Sequence, residues 1–409
     1  MQMPAALAAR REALAAQPRA PHICLISGWN LLNIGDVAIT PGFLRLVAQH
    51  FPEARVTLFA ASYAAELAAF LKPKFPDLDV MPFEFKPGVA LSAAFEKTLA
   101  SASLLVLNSG MTLSYGYYGL EWEKYIPRML AFMKARALKI PYGIYGHSFD
   151  RIDPHADVLY ADVLSTAAFV YTRDSASLEM LRRAGVKCPE MAFAPYSTFG
   201  FDLRDEERAR LFLERHRLEP GRFLTFIPRL DVSRFRQDGK EKDHAAQTRE
   251  IIVRWVRQAQ LPVALVPEVQ KQIEPAKTMV YDQLPADVRP MVRFQPEYWM
   301  PDEAQAVYAK AALLVSAEMH SPILALAAGT PSIHFYFTQA GLKQNMYRDL
   351  GLGQWLFDQD QTGPGPIVDA LLAVERDRKG ARAKVESAMT IVRRRQMETM
   401  AFLRRAVKA

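Results

Sequence analysis

The sequence predicts an α/β fold in which two domains with parallel sheets face each other across a cleft and a long helix ends the chain. Strand-like apolar runs alternate with segments of helical period almost throughout, as in "HICLISG", "AITPGFLRLVAQHF" and "RVTLFAA". Repeated β-α-β units of this kind require parallel strands covered by helices. The alternation stops near residues 200–222 and restarts, and the segment from about 367 to 407 is helical.

The break in the alternation divides the chain into domains. A chain of 409 residues exceeds what one core usually supports, so two domains are expected. The charged helical stretch "FDLRDEERARLFLERHRLEPGR" ends in Pro-Gly and is typical of a connector. We predict an N-terminal helical extension over 1–21, Rossmann-like domains over 22–205 and 220–366, and a basic C-terminal helix over 367–409.

The elements of the first domain follow from apolar periodicity. The strand-like segments are "HICLISG", "RVTLFAA", "LDVMPF", "SLLVLNSG", "IPYGIYGHSF" and "AFVYTRD". The helical segments are "AITPGFLRLVAQHF", "AAELAAFLKPKF", "ALSAAFEKTLASA", "EKYIPRMLAFMKARAL" and "SASLEMLRRAGV". Ser175 and Asp174 are the candidate caps of the last of these helices, and we expect Gly185 to lie at its C-terminal end.

The second domain repeats the pattern. Its strand-like segments are "FLTFIPRL", "PVALVPEV", Leu313–Val315 and "PSIHFYF". Helices are predicted from His244 to Gln258, over "PDEAQAVYAKA", and in the apolar run after His320. No repeat of short fixed period and no low-complexity tract interrupts this organisation.

Composition and charge narrow the classes of partner. The net charge of +7 is concentrated in the C-terminal segment, where the basic residues form either a solvated helix face or a contact with anionic lipid or substrate. We expect no nucleic-acid partner. Two cysteines without ligand spacing favour a reducing cytoplasm and no metal site. No apolar run is long enough to span a bilayer, and the N-terminal segment lacks the apolar core of a signal peptide. The prediction is a cytoplasmic protein, peripheral at the inner face of the membrane if the basic helix binds lipid.

Polar side chains follow the strands of both predicted domains. In the first domain these are Asn33, Asp36, Asn108, Ser109, Tyr115 and His147. In the second domain they are Arg229, Glu318, His320, Gln339 and Lys343. Ligands of doubly wound sheets bind beyond the carboxyl ends of the strands, in the crevice between the halves. These residues are therefore predicted to line one substrate site.

The loop "SGWNLLNIGDVAIT" leads from the first strand into its helix. Gly35 permits close approach of the backbone, and the helix N-terminus offers free N–H groups. Asp36 is either the cap of this helix, the commoner role for an aspartate there, or a general base. The loop lacks G-x-G-x-x-G, so the dinucleotide fingerprint is absent.

Other strand ends leave alternatives open. Tyr115, in the glycine- and tyrosine-rich "LSYGYYG", suits sugar stacking or a packed loop equally. His147 is either a hydrogen-bonded structural residue or a site residue. In the second domain, Arg229, His320 and Lys343 would form a cationic crevice for phosphate or carboxylate, although a surface salt bridge is the alternative for each.

Over most of its length, the chain resembles the polysaccharide pyruvyl transferases. The resemblance rests on "NIGDVAI", "LLVLNSG", "YGHSFD", "YTRDSASLEMLRRAGV", "FIPRLD", "AALLVSAEMHSPILALAAGTPSIHF" and "YFTQAGLKQNMYRDLGL", in that order. It implies a two-domain fold similar to glycosyltransferase-B and transfer of enolpyruvyl carbons from phosphoenolpyruvate onto sugar hydroxyls as a ketal. Phosphoenolpyruvate would be the donor substrate without a separate cofactor. The expected acceptor is a sugar or lipid-linked glycan of exopolysaccharide or cell-envelope biosynthesis, and a homo-oligomer is compatible.

The resemblance also assigns roles to residues. Arg229 and His320 match the family's donor-site arginine and histidine, Lys343 its later basic residue, and Asp36 the aspartate of its early loop. We expect His320 to act as general acid or base at the enol ether and Asp36 to activate or orient the acceptor hydroxyl. Arg229 and Lys343 would stabilise phosphate.

Two departures from the family pattern bear on the donor. Glu318 stands where the family usually has an arginine two residues before the histidine, and a carboxylate there repels an anionic donor unless it is protonated or paired. It is a catalytic carboxylate, a hydroxyl-binding group or a salt-bridge partner. "FAPYSTFGF" also replaces the family's Asp-Pro. Alternative functions are a nucleotide-sugar glycosyltransferase and a non-catalytic carbohydrate-binding protein.

Overall fold

The computed structural model describes residues 20–83, 85–86, 90–114, 126–150, 152, 156–230 and 240–408. In these ranges the strands are β1 (His22–Ser27), β2 (Arg55–Ala60), β3 (Asp79–Pro82), β4 (Phe85–Lys86), β5 (Ala90–Leu91), β6 (Leu104–Gly110), β7 (Tyr142–His147), β8 (Phe169–Thr172), β9 (Met191–Phe193), β10 (Leu224–Ile227), β11 (Val263–Leu265), β12 (Val292–Phe294), β13 (Leu313–Ser316), β14 (Ser332–Tyr336) and β15 (Leu356–Asp358).

The principal helices of the same ranges cover these strands. They are α1 (Ile34–His50), α2 (Ala64–Leu71), α3 (Ala93–Leu99), α4 (Ile126–Ala137), α5 (Asp157–Ser165), α6 (Ser175–Arg183), α7 (Glu206–His216), α8 (Glu241–Ala259), α9 (Pro301–Lys310), α10 (His320–Ala327), α11 (Asn345–Asp349), α12 (Pro364–Arg376) and α13 (Arg378–Lys408). Short helical turns include Ser197–Gly200, Gln270–Gln272 and Thr338–Ala340.

Two parallel sheets confirm the predicted α/β architecture. The first has the order β3-β2-β1-β6-β7-β8-β9 and the second β12-β11-β10-β13-β14-β15, with every pairing parallel. Central strands such as β1 and β13 are buried along their whole length. This burial explains why they read as continuous apolar runs instead of alternating ones. The strands β4 and β5 form a separate antiparallel pair.

The C-terminal segment forms two helices instead of one. α12 ends at Arg376, Asp377 is its C-cap, and α13 begins at Arg378. The first part of α13 packs on the second sheet through Val385 and Val392, and its last turns pack on the first sheet through Met400 and Leu403. The long helix therefore returns to the first half of the protein.

The burial of α13 changes the expectation of membrane contact. Met400 and Leu403, two apolar residues between the arginines of α13, are buried in the core, whereas Met397 is well exposed. These two side chains are therefore not available to a membrane surface, and contact of the basic helix with anionic lipid stays a prediction. No helix among the described residues is long and apolar enough to cross a membrane.

The predicted domain connector is a packed element. Ala209 and Phe212 of α7 lie in the same apolar cluster as Phe223 and Val307 next to the second sheet. The boundaries 22–205 and 220–366 stay a prediction, and nearly all of the proposed extension over 1–21 lies outside the described residues.

The two halves meet closely at the start of α1. The backbone N–H of Ile34 donates to the carbonyl of Glu268 at 3.0 Å, and that of Gln270 donates to the carbonyl of Leu32 at 2.9 Å. These bonds join the loop after β1 to the loop after β11. As a result, the carboxyl ends of the two sheets face each other.

Candidate functional site

A cavity of about 240 Å³ lies where the carboxyl ends of the two sheets meet. Its lining is mostly polar and comes from both halves: Asn30, Asn33, Asp36, Gly110, Met111, Arg173, Tyr196, Arg229, Val269, Lys271, Gln272, Glu318, His320 and Lys343. Six residues predicted from the sequence are brought together here, namely Asn33, Asp36, Arg229, Glu318, His320 and Lys343. We call this space the interdomain cavity.

His320 is the first residue of α10, four positions after the last residue of β13. Its Nδ1 lies 3.0 Å from Oε1 of Glu268, and its Nε2 lies 3.0 Å from the hydroxyl of Tyr196. The second oxygen of Glu268 accepts hydrogen bonds from the backbone N–H and the hydroxyl of Ser321, both at 2.7 Å. The imidazole is therefore held from both sides.

Glu268 is fully buried beneath this histidine. Burial by itself would raise the pKa of the carboxyl, but the hydrogen bonds from His320 and Ser321 prevail and lower that pKa below its usual value. Glu268 is therefore a carboxylate that orients the ring and stabilises positive charge on it. A histidine paired with a buried carboxylate is a common arrangement for moving protons.

Gly35 allows α1 to approach the imidazole. A Cβ at this position would lie 1.9 Å from Cγ and 2.1 Å from Nδ1 of His320. Any side chain larger than hydrogen would therefore displace the ring. Gly35 therefore allows the close backbone approach that was expected of it. The group that it approaches is the side chain of His320, the candidate catalytic histidine.

Asp36 does not cap α1, so the commoner of its two predicted roles is wrong. Asn33 is the cap, because its side-chain oxygen accepts from the N–H of Gly35 at 2.9 Å. Asp36 lies in the first turn and lines the interdomain cavity. Burial raises its pKa to about 6, with Glu268 adding to the shift and His320 opposing it. A carboxyl with such a pKa is well placed to exchange protons near neutral pH.

Glu318 forms a buried ion pair with Arg229. The distance from Arg229 Nη1 to Glu318 Oε2 is 3.0 Å, and the side chains are 13% and 6% exposed. The other carboxylate oxygen of Glu318 accepts from Gln272 at 2.7 Å. Of the three roles open to Glu318 from the sequence, the structure supports that of salt-bridge partner.

Lys343 adds a second cation beside this pair. Burial, together with the charge of Arg229, lowers its pKa to about 8, although Glu318 opposes the shift. The loop carrying Lys343 is attached to the first half of the protein, because the N–H of Leu342 donates to the carboxylate of Asp150. The loop that carries Lys343 is thus fixed against the first half of the protein.

Arg173 is a third cation of the cavity and was not among the predicted site residues. It is 2% exposed, its Nε donates to the Ser148 hydroxyl at 2.6 Å, and its guanidinium lies 4.3 Å from the ring centroid of Tyr196. The neighbouring Asp174 caps α6 by accepting from Ser177 N–H, so of the two candidate caps the structure shows Asp174 and not Ser175.

Three predicted substrate contacts are fully buried, and the structure corrects their role. Asn108 donates to the Ser27 hydroxyl and the Ile39 carbonyl, both at 3.2 Å. Ser109 bonds to the Tyr145 carbonyl and the Ser197 hydroxyl. His147 accepts from the Leu113 N–H at 3.0 Å. With no exposed surface, these side chains connect strand ends and do not face the interdomain cavity.

Two further predictions cannot be placed. Tyr115 lies outside the described residues. Gln339 has its backbone in the turn Thr338–Ala340, but its side chain is not among those described. Their proposed contacts with substrate stay predictions.

Glu268 and Tyr196, like Arg173, are site residues that were not predicted from the sequence. Glu268 follows the strand of "PVALVPEV" and so shows the same signal, a polar side chain just past a strand end, that identified the others. Tyr196 lies in "FAPYSTFGF", the segment that replaces the family's Asp-Pro, and no signal in that segment identifies the tyrosine as a site residue. Among the described residues, no group of three or more histidine, cysteine or carboxylate side chains could hold a metal ion.

Comparisons with known proteins agree with this architecture. The sequence profile of the family described as polysaccharide pyruvyl transferase matches residues 33–337. No curated protein matches the chain. HepE of Anabaena, solved with UDP-glucose, superposes with a TM-score of 0.60 at 12% identity, covering 93% of this chain and 98% of the other.

Two other solved structures share the fold. UGT71G1 of Medicago truncatula, complexed with UDP-glucose, gives a TM-score of 0.56 at 12% identity and covers 95% of this chain and 98% of its own. The UDP-GlcNAc 2-epimerase of Methanocaldococcus jannaschii gives a TM-score of 0.56 at 10% identity. The superposition covers 86% of this chain and 91% of the epimerase chain. These likenesses establish a glycosyltransferase-B-like fold, as predicted.

Proposed function

The chain belongs to the polysaccharide pyruvyl transferase family, and from this premise we propose that it transfers the pyruvyl group of phosphoenolpyruvate to two hydroxyls of a sugar. The acceptor is a sugar of a polysaccharide or of a lipid-linked glycan precursor. The observation that carries the proposal is the interdomain cavity, which is lined both by three buried or half-buried cations and by His320, the partner of Glu268.

The size of the cavity supports a small donor. Pockets for drug-sized ligands usually measure about 300–1,000 Å³, whereas this one measures about 240 Å³. A three-carbon phosphorylated donor suits such a space better than a nucleotide sugar does. The nucleotide-sugar alternative is supported by the fold that the chain shares with HepE and UGT71G1, which were solved with UDP-glucose.

The charges of the lining suit an anionic donor. Arg173, Arg229 and Lys343 can bind phosphate and carboxylate oxygens, for which the planar guanidinium is well shaped. Glu318 already neutralises Arg229 through their ion pair. We therefore assign phosphate binding chiefly to Arg173 and Lys343, with Arg229 as a contributor whose strength Glu318 reduces.

The chemistry assigns one role to each titratable group. A proton from the His320 side adds to the methylene carbon of the donor, and Glu268 stabilises the positive ring before that transfer. Asp36 accepts the proton of the attacking acceptor hydroxyl. Its raised pKa of about 6 leaves it mostly ionised at neutral pH and able to release the proton afterwards.

Ligand-dependent thermal stabilisation tests the proposal. Phosphoenolpyruvate, UDP-sugars and oligosaccharides are compared, since a ligand that binds only the folded state raises the melting temperature. We expect phosphoenolpyruvate to stabilise the protein and Lys343→Ala to lose this effect, while Lys187→Ala, at an exposed lysine outside the cavity, retains it. Stabilisation by UDP-sugars alone would favour the glycosyltransferase, and by oligosaccharides alone a non-catalytic binding protein.

A further inference from the structure

The two ring nitrogens of His320 are both occupied in the structure. Nδ1 faces the carboxylate of Glu268, and Nε2 faces the hydroxyl of Tyr196, each at 3.0 Å. A ligand in the interdomain cavity therefore meets the Tyr196 hydroxyl where it would otherwise meet a free imidazole nitrogen. Tyr196 itself lines this cavity.

Tyr196 is held firmly in this position. It is only 1% exposed, and its ring lies between the imidazole, at 5.4 Å between centroids, and the guanidinium of Arg173, at 4.3 Å. Burial raises the pKa of the phenol, so the hydroxyl stays protonated at neutral pH. A protonated hydroxyl that touches both a histidine and a ligand cavity can pass a proton from one to the other.

We propose that Tyr196 is a catalytic residue that carries the proton between His320 and the donor. The inference rests on the proposed function, because the proton is needed at the methylene carbon of phosphoenolpyruvate. His320 and Tyr196 then form a proton relay that ends in the cavity, and the buried carboxylate of Glu268 orients the histidine.

The first step transfers two protons. The electron pair of the donor C=C bond takes the proton of the Tyr196 hydroxyl, forming a C–H bond and a positively charged central carbon. The Tyr196 oxygen takes the proton from Nε2 of the charged His320, whose N–H electron pair remains on nitrogen. The imidazole is left neutral, with its Nδ1–H directed to Glu268.

The remaining steps complete the ketal. An acceptor hydroxyl oxygen forms a bond to the central carbon and gives its proton to Asp36. A second acceptor hydroxyl replaces the phosphate, which leaves with the C–O electron pair and receives the second hydroxyl's proton. The proton on Asp36 returns through solvent to His320, so the enzyme is restored.

The test compares two tyrosine variants by phosphate release from phosphoenolpyruvate with an acceptor. Tyr196→Phe keeps the ring and its stacking on Arg173 but removes the hydroxyl. Tyr145→Phe is the matched control, because Tyr145 is also fully buried and its hydroxyl has a partner, Thr399, at 3.0 Å. We expect turnover to fall about a hundredfold or more in Tyr196→Phe, with the donor KM little changed, and to be unchanged in Tyr145→Phe.

Two readouts separate a relay from a structural role. Turnover in mixtures of light and heavy water should show two protons in flight for the wild type and one for Tyr196→Phe. Diethyl pyrocarbonate should modify His320 faster in Tyr196→Phe, because Nε2 becomes uncovered, and peptide mass spectrometry reports His50 as the internal control.

The outcomes distinguish the relay from the function on which it rests. If the wild type is active and Tyr196→Phe has near-normal turnover, the relay is refuted but the proposed function is not. The same holds if His320 is modified at an unchanged rate in Tyr196→Phe. A wild type that releases no phosphate from phosphoenolpyruvate with any acceptor overturns the proposed function and the relay with it. A loss of turnover with a one-proton profile and faster His320 modification supports the relay.

Discussion

Replacing Gly35 by alanine tests the geometry of the site directly. The new Cβ would lie 1.9 Å from Cγ of His320, where ordinary contact begins near 3.4 Å, so the ring and α1 must separate by about 1.5 Å. The hydrogen bonds of His320 to Glu268 and Tyr196 are now 3.0 Å long and would be stretched beyond bonding distance. A misplacement of about 1 Å can cost roughly a hundredfold in rate.

The expected effect on stability is smaller. Forcing extra atoms into a packed site usually costs about 1–3 kcal/mol, and alanine gains up to about 1 kcal/mol over glycine in a helix. Gly35→Ala should therefore lose about 0–3 kcal/mol of unfolding free energy, while turnover falls about a hundredfold. Urea unfolding and phosphate release measure the two quantities on the same preparation.

Gly365→Ala is the matched control for this substitution. Gly365 is also the second residue of its helix, α12, and an added Cβ would make only an ordinary contact at 3.6 Å with Arg254. This variant should keep full turnover and gain slightly in stability. Wild-type turnover in Gly35→Ala would refute the claim that the position of the imidazole governs catalysis.

Three further predictions follow from the charges of the protein. Glu318→Gln should tighten phosphoenolpyruvate binding about tenfold, or by ~1.4 kcal/mol, because it removes the carboxylate that neutralises Arg229. The same variant should lose about 1–3 kcal/mol of unfolding free energy. Weaker phosphoenolpyruvate binding, measured by calorimetry, would contradict this prediction. The wild-type kcat/KM should rise with pH through about 6 as Asp36 ionises, and Asp36→Asn should lose this rise together with most turnover; an unchanged pH profile would exclude Asp36 as the base. Because Met400 and Leu403 are buried, vesicle binding should require anionic lipid and disappear at high salt; sedimentation with neutral vesicles would contradict that burial.

The sequence predicted the architecture because its signals are local. They are apolar runs of strand length, helical periods between these runs, and the break near residue 210. All three can be recognised without knowing which residues are in contact. The site could be placed at the carboxyl ends of the strands for the same reason. His320 and Arg229 were found by this rule, and both line the interdomain cavity.

The rule could not tell which strand-end side chains face the cavity. His147 ends β7 as His320 follows β13, yet its ring turns inward and accepts from Leu113. The direction in which a strand-end side chain points depends on the local backbone geometry and on the neighbouring loop. A single sequence specifies neither of them. Contacts between the two halves could not be predicted from the sequence either. The hydrogen bond between Tyr196 and His320, for example, joins residues that are 124 positions apart in the chain.

The most direct test of the account follows the carbon atoms of the donor. Phosphoenolpyruvate labelled with carbon-13 at its central carbon is incubated with the protein and a panel of sugar acceptors, and the products are observed by NMR. We predict a new ketal carbon signal on the sugar, formed in equal amount with phosphate and absent in His320→Ala. No ketal signal with any acceptor, together with sugar transfer from a UDP-sugar under the same conditions, would contradict pyruvyl transfer as the function of this cavity.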